Sequence, residues 1–464
     1  MSEPLRRVGR GVSRALAALP PRWILALGWL ALIIYAYPGL MTQDSFDHLR
    51  EARAGAFTDG HPPAIDLLWR WTDYVIAGPF GMLVIQSATF LLGLYLVLRQ
   101  TFTPRPAAWL SVAVFLSPPV MTSMAVIWKD CVMAGFLMLG IGALFDARRW
   151  VRIAGLAALF AGIAVRYNGF AATLPVVVLL FEWRPGIDGL RRYAIAAAAW
   201  LAITLAAFGL NAAITDQKMY VWHSGLAVYD IAGSLAHVDH ELSDDELRRT
   251  LAGTGLLVDH DIHATIRKVY SPRDFYPILA DPRFALWRLP TNGYVPAPEP
   301  QRDAIARAWW EVITTYPRAY LAHRLAVMAR VLEGRSAEVL AKREFSRPEY
   351  AREVGFETGW SKLQRKLSRF EVWVARATPL YTPWLYVVLA LALLPLARRQ
   401  RDMLGLLLGG LVFESTLVLL APSSDYRYSH WLVICTCVAA IVLTARRYRA
   451  AGVSGGERER SSRT

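Results

Sequence analysis

The stretch MTQDSFDHLREARAGAFTDGHPPAIDLLW, residues 41–69, follows closely on the apolar run 23–37. It places Asp44, Asp47, His48, Glu51, Asp59 and His61 where a hydrophobic segment has just ended. Carboxylates at the mouth of a membrane segment take a proton from an acceptor, bind a metal, or are simply solvated. SFDHLREARAGAF has helical spacing, with Phe46, Leu49 and Ala52 or Arg53 tracing one side, and predicts a short helix lying at the membrane surface. Pro62 and Pro63 stop it. AIDLLWRWTDYVIAG then predicts a second amphipathic helix whose Trp69, Trp71 and Tyr74 suit an interface.

Outward from this stretch the chain is apolar. Hydrophobic residues make up 55% of its 464 positions, too many for an ordinary soluble domain of that size. Charge almost disappears over 23–37, 80–98, 107–128, 132–145, 153–165, 170–181, 193–214, 380–396, 403–421 and 431–443. Most of these runs approach the length that spans a bilayer as helix, predicting an all-α polytopic membrane protein of about 10 spans, within a range of roughly 9–11.

A net charge of +14 raises the question of nucleic acid, but its distribution argues against that partner. Arginine collects in short connectors: Arg6, Arg7, Arg10, Arg14 and Arg22, then Arg99 and Arg105, Arg148, Arg149 and Arg152, Arg184, Arg191 and Arg192, Arg398, Arg399 and Arg401, and the tail after Arg446. With ten spans all fall on one side, which the positive-inside rule makes cytoplasmic, along with both termini. The expected organisation is a basic cytoplasmic tail (1–22), an N-terminal membrane module (23–214) with a first outer loop (41–77), an extracytoplasmic, mainly helical region (215–378), C-terminal membrane helices (379–445) and a second basic tail (446–464).

The outward connectors hold the polar residues that are not simple anchors. SPPVM at 117–121 kinks or breaks the third run, and broken membrane helices line cavities. WKDC follows, with Lys129 and Asp130 either a hairpin-tip pair or charges facing such a cavity. Arg166, beside Asn168, lies between two short runs where a charge at depth costs about 2.5–3.5 kcal/mol; it either snorkels to headgroups or meets a phosphate, which a guanidinium fork suits. A solvated hairpin accounts for the polarity of APSSDYRYSHW, but Tyr426 and Tyr428 bracketing Arg427 also suit a headgroup or phosphate. Trp309 and Trp310 read as interface anchors. His237, His240, His260 and His263 lack the spacing of a helical metal site, and Cys131, Cys435 and Cys437 read as packing residues.

YPGL at 37–40, TQDSFDHL and FTDGHPP in the first loop, WKD at 128–130, RYNG at 166–169, YPRAYLAHR at 316–324 and DYRY at 425–428 together resemble the GT-C superfamily of polytopic glycosyltransferases. That group includes protein O-mannosyltransferases and the aminoarabinose transferases of lipid A. The resemblance implies a GT-C-like fold in a bacterial plasma membrane. It implies inverting transfer of a sugar from a polyprenyl-phosphate donor to a lipid, glycan or protein acceptor at the outer face, with membrane lipids as surroundings. Asp44 is the implied general base, with Asp47 its nearest rival. Lys129, Arg166 and Arg427 are implied to receive the lipid phosphate, with Asp47, Asp59 and His61 as second choices to orient the acceptor; Asp130, Asn168 and Tyr428, beside these, are further candidates for substrate binding. No cofactor is assigned, and a divalent metal is left open.

The rival from another class is a transporter or lipid flippase, since broken spans with charges at depth also mark transport routes. Against it, the unusual charges gather at one face, with neither a phosphate-binding GxxxxGK[ST] loop nor evident repeated halves.

Overall fold

The computed structural model describes residues 19–184, 186–286, 295–334, 352, 355 and 361–461. Arg6, Arg7, Arg10 and Arg14 of the basic tail lie outside them. Regular structure among the described residues is helical, with three isolated β-bridges. In the first half run α1 (Pro21–Ala36), α2 (Gln43–Ala54), α3 (Ala64–Val75), α4 (Phe80–Leu98), α5 (Pro104–Phe115), α6 (Pro118–Met124), α7 (Lys129–Leu144), α8 (Arg149–Val165), α9 (Gly169–Leu180) and α10 (Gly189–Ile214). The second half adds α11 (Val228–Ala236), α12 (Asp244–Thr250), α13 (Ile262–Val269), α14 (Tyr276–Ala280), α15 (Glu299–Thr315), α16 (Pro317–Glu333), α17 (Lys362–Ala377), α18 (Pro383–Ala397), α19 (Arg401–Leu420) and α20 (His430–Ser461).

Among the described residues four helical segments are long and apolar enough to cross a membrane: α4, α10, α19 and Tyr426–Ala450. The pair α5–α6, bent by 72°, makes a fifth if counted as one span. The expected ten are not reached by this measure, because several apolar runs stop short. α1, α9 and α18 are apolar but shorter, and α7 and α8 have 16 and 17 residues. At this coarser level the described residues form an all-helical integral membrane protein.

The helices pack through small residues. A Cβ on Gly93 of α4 would sit 2.4 Å from the backbone of Met138 and Leu139 in α7, so only glycine lets these two helices approach so closely. The arginine connectors pair with one another. Arg446 bonds Thr101, Gln400 and Asp402, and Arg152 donates to the carbonyls of Asp146, Ala147 and Glu182. At the opposite end of α8 stands Arg166, and towards the opposite end of α19 stands Thr416. There the chain is irregular.

The break foreseen at SPPVM decides that end. α6 ends at Met124, and residues 125–128 lie outside any helix before α7 begins. Backbone groups at membrane depth must find partners within the protein. Gln86 of α4 supplies one set, its Nε2 donating to the carbonyls of Met124 and Val126 at 2.9 Å each. The first loop supplies another: Leu40 N donates to Ala125 O at 3.2 Å, and Ile127 N donates to Leu40 O at 2.8 Å. The buried Phe46, Leu49 and Ala52 of α2 seat the loop helix as their spacing predicts. Trp69, expected at the interface, is instead fully buried under it, while Trp71 and Tyr74 are exposed.

Helices α11 to α16 surround their own core of Ile231, Leu235, Ile262, Ile266, Ile305 and Val312. Two carboxylates strap this region to the first loop: Asp59 accepts from Met219 N, and Asp216 accepts from Phe57 N at 2.8 Å. Asn211 near the end of α10 holds the loop from the other side, accepting from Ala64 N and donating to Ala164 O, both at 2.9 Å. α17 turns back to the bundle, with Gln364 Nε2 donating to Tyr35 O at 3.1 Å and Thr122 Oγ1 donating to Glu371 at 2.9 Å.

Replacing Gln86 by Leu leaves both carbonyls buried without a donor, at a cost on the order of 1–3 kcal/mol. We expect Gln86→Leu to lower the thermal unfolding midpoint in detergent; an unchanged midpoint would show that the 124–126 backbone is satisfied otherwise.

Candidate active site

The break and the first loop build one site. Ser45 Oγ accepts from Thr42 N at 3.0 Å and donates to Ile127 O at 2.7 Å, and Trp128 Nε1 donates to Thr42 Oγ1 at 2.8 Å. These bonds clamp the start of α2 onto residues 127–128 and fix Asp44 in its first turn, where the helix N-terminus favours an anion.

Arg427 reaches the same place from the 3-10 turn Tyr426–Ser429. Its Nη2 lies 2.7 Å from Asp44 Oδ2 and its Nε 2.8 Å from Asp425 Oδ2, with the guanidinium carbon 4.8 Å from the Trp128 ring centroid. Lys129, next in sequence, places Nζ 2.6 Å from His61 Nδ1. An ammonium only donates, so His61 Nδ1 is the acceptor.

Arg166 forms the adjoining layer. It ion-pairs with Asp130 and donates from Nε to Asn168 Oδ1 at 2.8 Å, and Asn168 Nδ2 passes the chain on to Thr416 Oγ1 at 3.1 Å. The Tyr428 ring stands between the two arginines, its centroid 5.4 Å from the Arg166 guanidinium and 5.5 Å from that of Arg427. Its hydroxyl meets Ser423 Oγ at 3.2 Å. Three cations thus face Asp44, Asp425 and Asp130, so the cluster is internally balanced and held by mutual pairing.

Environment separates the two first-loop aspartates. Burial alone would raise Asp44, but the cations around it, Arg427 first and then Lys129, outweigh it and hold the carboxyl well below the usual range. Asp47 turns to Arg50 at 3.1 Å, and burial, only partly offset by that arginine, raises it. Burial raises Asp425 against the pull of Arg427. It pushes Lys129 down to about 8, with Asp44 opposing.

Of the residues singled out from sequence, Asp44, His61, Lys129, Asp130, Arg166, Asn168, Arg427 and Tyr428 come together. Asp47 lies at the edge, and Asp59 is committed to the strap with Met219. Among the described residues no three His, Cys, Asp or Glu side chains gather as a metal set. His263 instead bridges Leu242 N and Leu235 O.

Two buried clusters escaped the sequence reading. His48 and Asp66 form a 2.6 Å pair beneath the loop; His48 lies three residues after Ser45 and four before Ala52, so helical spacing could have placed it inside. Asp230 pairs with Arg324 at 2.5 Å and with His323 at 3.3 Å. It also accepts from Trp309, which therefore turns inward and is no interface anchor. Arg324 Nη1 donates to Ala421 O at 3.2 Å and ties α16 to the end of α19.

No protein-family model matches the chain, and no curated protein does. Among solved structures it is similar to ArnT from Cupriavidus metallidurans bound to undecaprenyl phosphate, with 13% identity over 93% of this chain and 79% of that chain and a TM-score of 0.34. The apo ArnT structure gives 13% identity, 95% and 78% coverage, and a TM-score of 0.33.

Lys129 is charged below about 8 and neutral above it. Binding of didodecyl phosphate, a diester that stays a monoanion over this range, is therefore expected to weaken as pH rises through that value. Lys129→Arg, which stays charged, is expected to abolish the pH dependence; calorimetric titration from pH 7.5 to 9 measures both.

Proposed function

We propose that the chain is a membrane glycosyltransferase. It moves a sugar, with inversion, from a polyprenyl-phosphate donor to a lipid, glycan or protein acceptor at the outer face, with Asp44 as general base and Asp47 as the residue best able to replace it. In this reading ten helices cross the plasma membrane, and both termini and the arginine connectors are cytoplasmic. The observation that carries the proposal is the contact of Asp44 with Arg427 beside Lys129. It sets a carboxylate against the two kinds of cation that hold a phosphate leaving group.

That contact also gives the order of events. A carboxylate held down by a guanidinium is a poor base. The phosphodiester of the donor is an anion that competes for Arg427 and Lys129. As it takes them, Asp44 is freed and its proton affinity rises beside the bound sugar. The acceptor hydroxyl oxygen then bonds to the anomeric carbon as the bond to the phosphate oxygen breaks. The electron pair leaves with the phosphate, neutralised by Arg427 and Lys129, and the hydroxyl proton passes to Asp44. Arg166, fixed by Asp130 and Asn168, steadies Tyr428 at the back of the phosphate site. In this reading His61 helps to orient the acceptor, while Asp59, bonded to Met219 N, acts only by holding the loop.

In proteoliposomes supplied with radiolabelled polyprenyl-phosphate sugars and glycolipid acceptors, Asp44→Asn is expected to reduce the transfer rate by on the order of 10²-fold or more with the protein still folded. Equal transfer by both proteins would reject Asp44 as the base. Movement of lipid between leaflets with no transfer from any donor would favour a flippase instead. Topology is checked separately: a cysteine at the exposed Asp239 should react with an impermeant maleimide from outside, and one at Arg399 should not.

A further inference from the structure

We infer that His48 and Asp66 form a positioning pair that fixes the ring orientation and tautomer of His61, and through it the place of the Lys129 ammonium. As a part of the reaction this rests on the transferase reading above; as a structural statement it does not.

The pair is buried to within 2% of complete exclusion from solvent, between α2 and α3. Two apolar side chains of similar size would fill the same space without desolvating an acid and an imidazole, so packing alone gives no reason for the pair. Its geometry does. His48 Nδ1 lies 2.6 Å from Asp66 Oδ1, which locks the imidazole plane. The locked ring meets that of His61 with centroids 4.8 Å apart at 45°. His61 in turn accepts at Nδ1 from Lys129 Nζ at 2.6 Å. An unbroken line of contacts therefore runs from Asp66 in α3, through His48 in α2 and His61 in the loop, to Lys129 at the start of α7.

The chemistry of the last contact restricts the middle of the line. To accept from an ammonium, His61 must be neutral with its proton on Nε2; a protonated ring would lose the bond and repel Lys129. The groups facing His61 are Lys129, His48, Asp44 and Arg427. Those facing His48 are Asp66, His61, Asp47 and Glu51. Among the described residues His48 Nε2 is buried with no hydrogen-bond partner, so His48 meets His61 by ring contact alone, and Nε2–H of His61 is left as the one donor of the His61 ring. Lys129 then stays beside Asp44 for the phosphate. His48 and Asp66 touch neither donor nor acceptor, and their effect is transmitted.

The test uses the full chain in nanodiscs with ¹⁵N-labelled histidine, the His61 signals assigned by their absence in His61→Gln. The wild type is expected to show His61 as a single Nε2–H tautomer from pH 6 to 8. The double variant H48L/D66L replaces the pair by apolar residues and is expected to keep or raise the thermal midpoint while His61 becomes a mixture of tautomers. Its didodecyl phosphate affinity is expected to fall about tenfold, because Lys129 loses its fixed acceptor, an effect of about 1.4 kcal/mol. A folded double variant that keeps the single tautomer and the wild-type affinity overturns the inference. Should the double variant not fold, Asp66→Asn, which retains an acceptor oxygen but not the charge, is read by the same two signals with the same criteria. Neither signal requires sugar transfer, so a transferase assay that fails while the tautomer result stands rejects the function and keeps the pair.

Discussion

A guanidinium withdrawn from water must have its charge answered, and Arg427 is answered from both sides, by Asp44 and Asp425, with the face of Trp128 beneath it. These partners come from remote parts of the chain: the helix after the first apolar run, the break before α7, and the turn between α19 and α20. The charge can be satisfied only when all three are in place, so assembly of the bundle end and assembly of the site are one event. The same holds a layer further in, where Arg166 draws Asp130, Asn168 and, through Asn168, Thr416 into one line.

The balance has a cost in reactivity that the geometry also removes. An acid paired this closely is chemically quiet, which suits a site exposed to a large supply of hydroxyl groups, water included. In the proposed reaction, an anion that replaces Asp44 on Arg427 would wake it. Selectivity for a phosphate-linked donor would thus arise before any sugar is recognised, from competition for one cation.

Much of this was legible in the sequence. The apolar runs fixed the membrane class; the prolines of 117–121 gave the break. Polar residues stranded between apolar runs, Lys129, Asp130, Arg166 and Arg427, pointed to one end of the bundle because a charge there needs a reason. Span count was less legible, since an apolar run does not report where its helix stops, as α7 and α8 illustrate. Contacts that depend on distant pairing were not legible at all. Nothing local tells that Asp59 meets Met219, that Trp69 and Trp309 turn inward, or that His48 finds Asp66 on the next helix. Those partners are set by how α2 folds back on α3 and by the strap to the helices beyond α10.

Asn211 gives this arrangement a link to its surroundings. α10 has 26 residues, about 39 Å of helix, against a hydrocarbon layer of roughly 30 Å. Little of its apolar stretch is covered by protein, so lipid surrounds most of it and excess length is relieved by tilt. Its far end grips Ala64, three residues beyond His61, through one side-chain amide. A thicker or thinner bilayer would therefore alter the set of the loop that carries His61, with bilayer thickness reaching the first loop through one side chain.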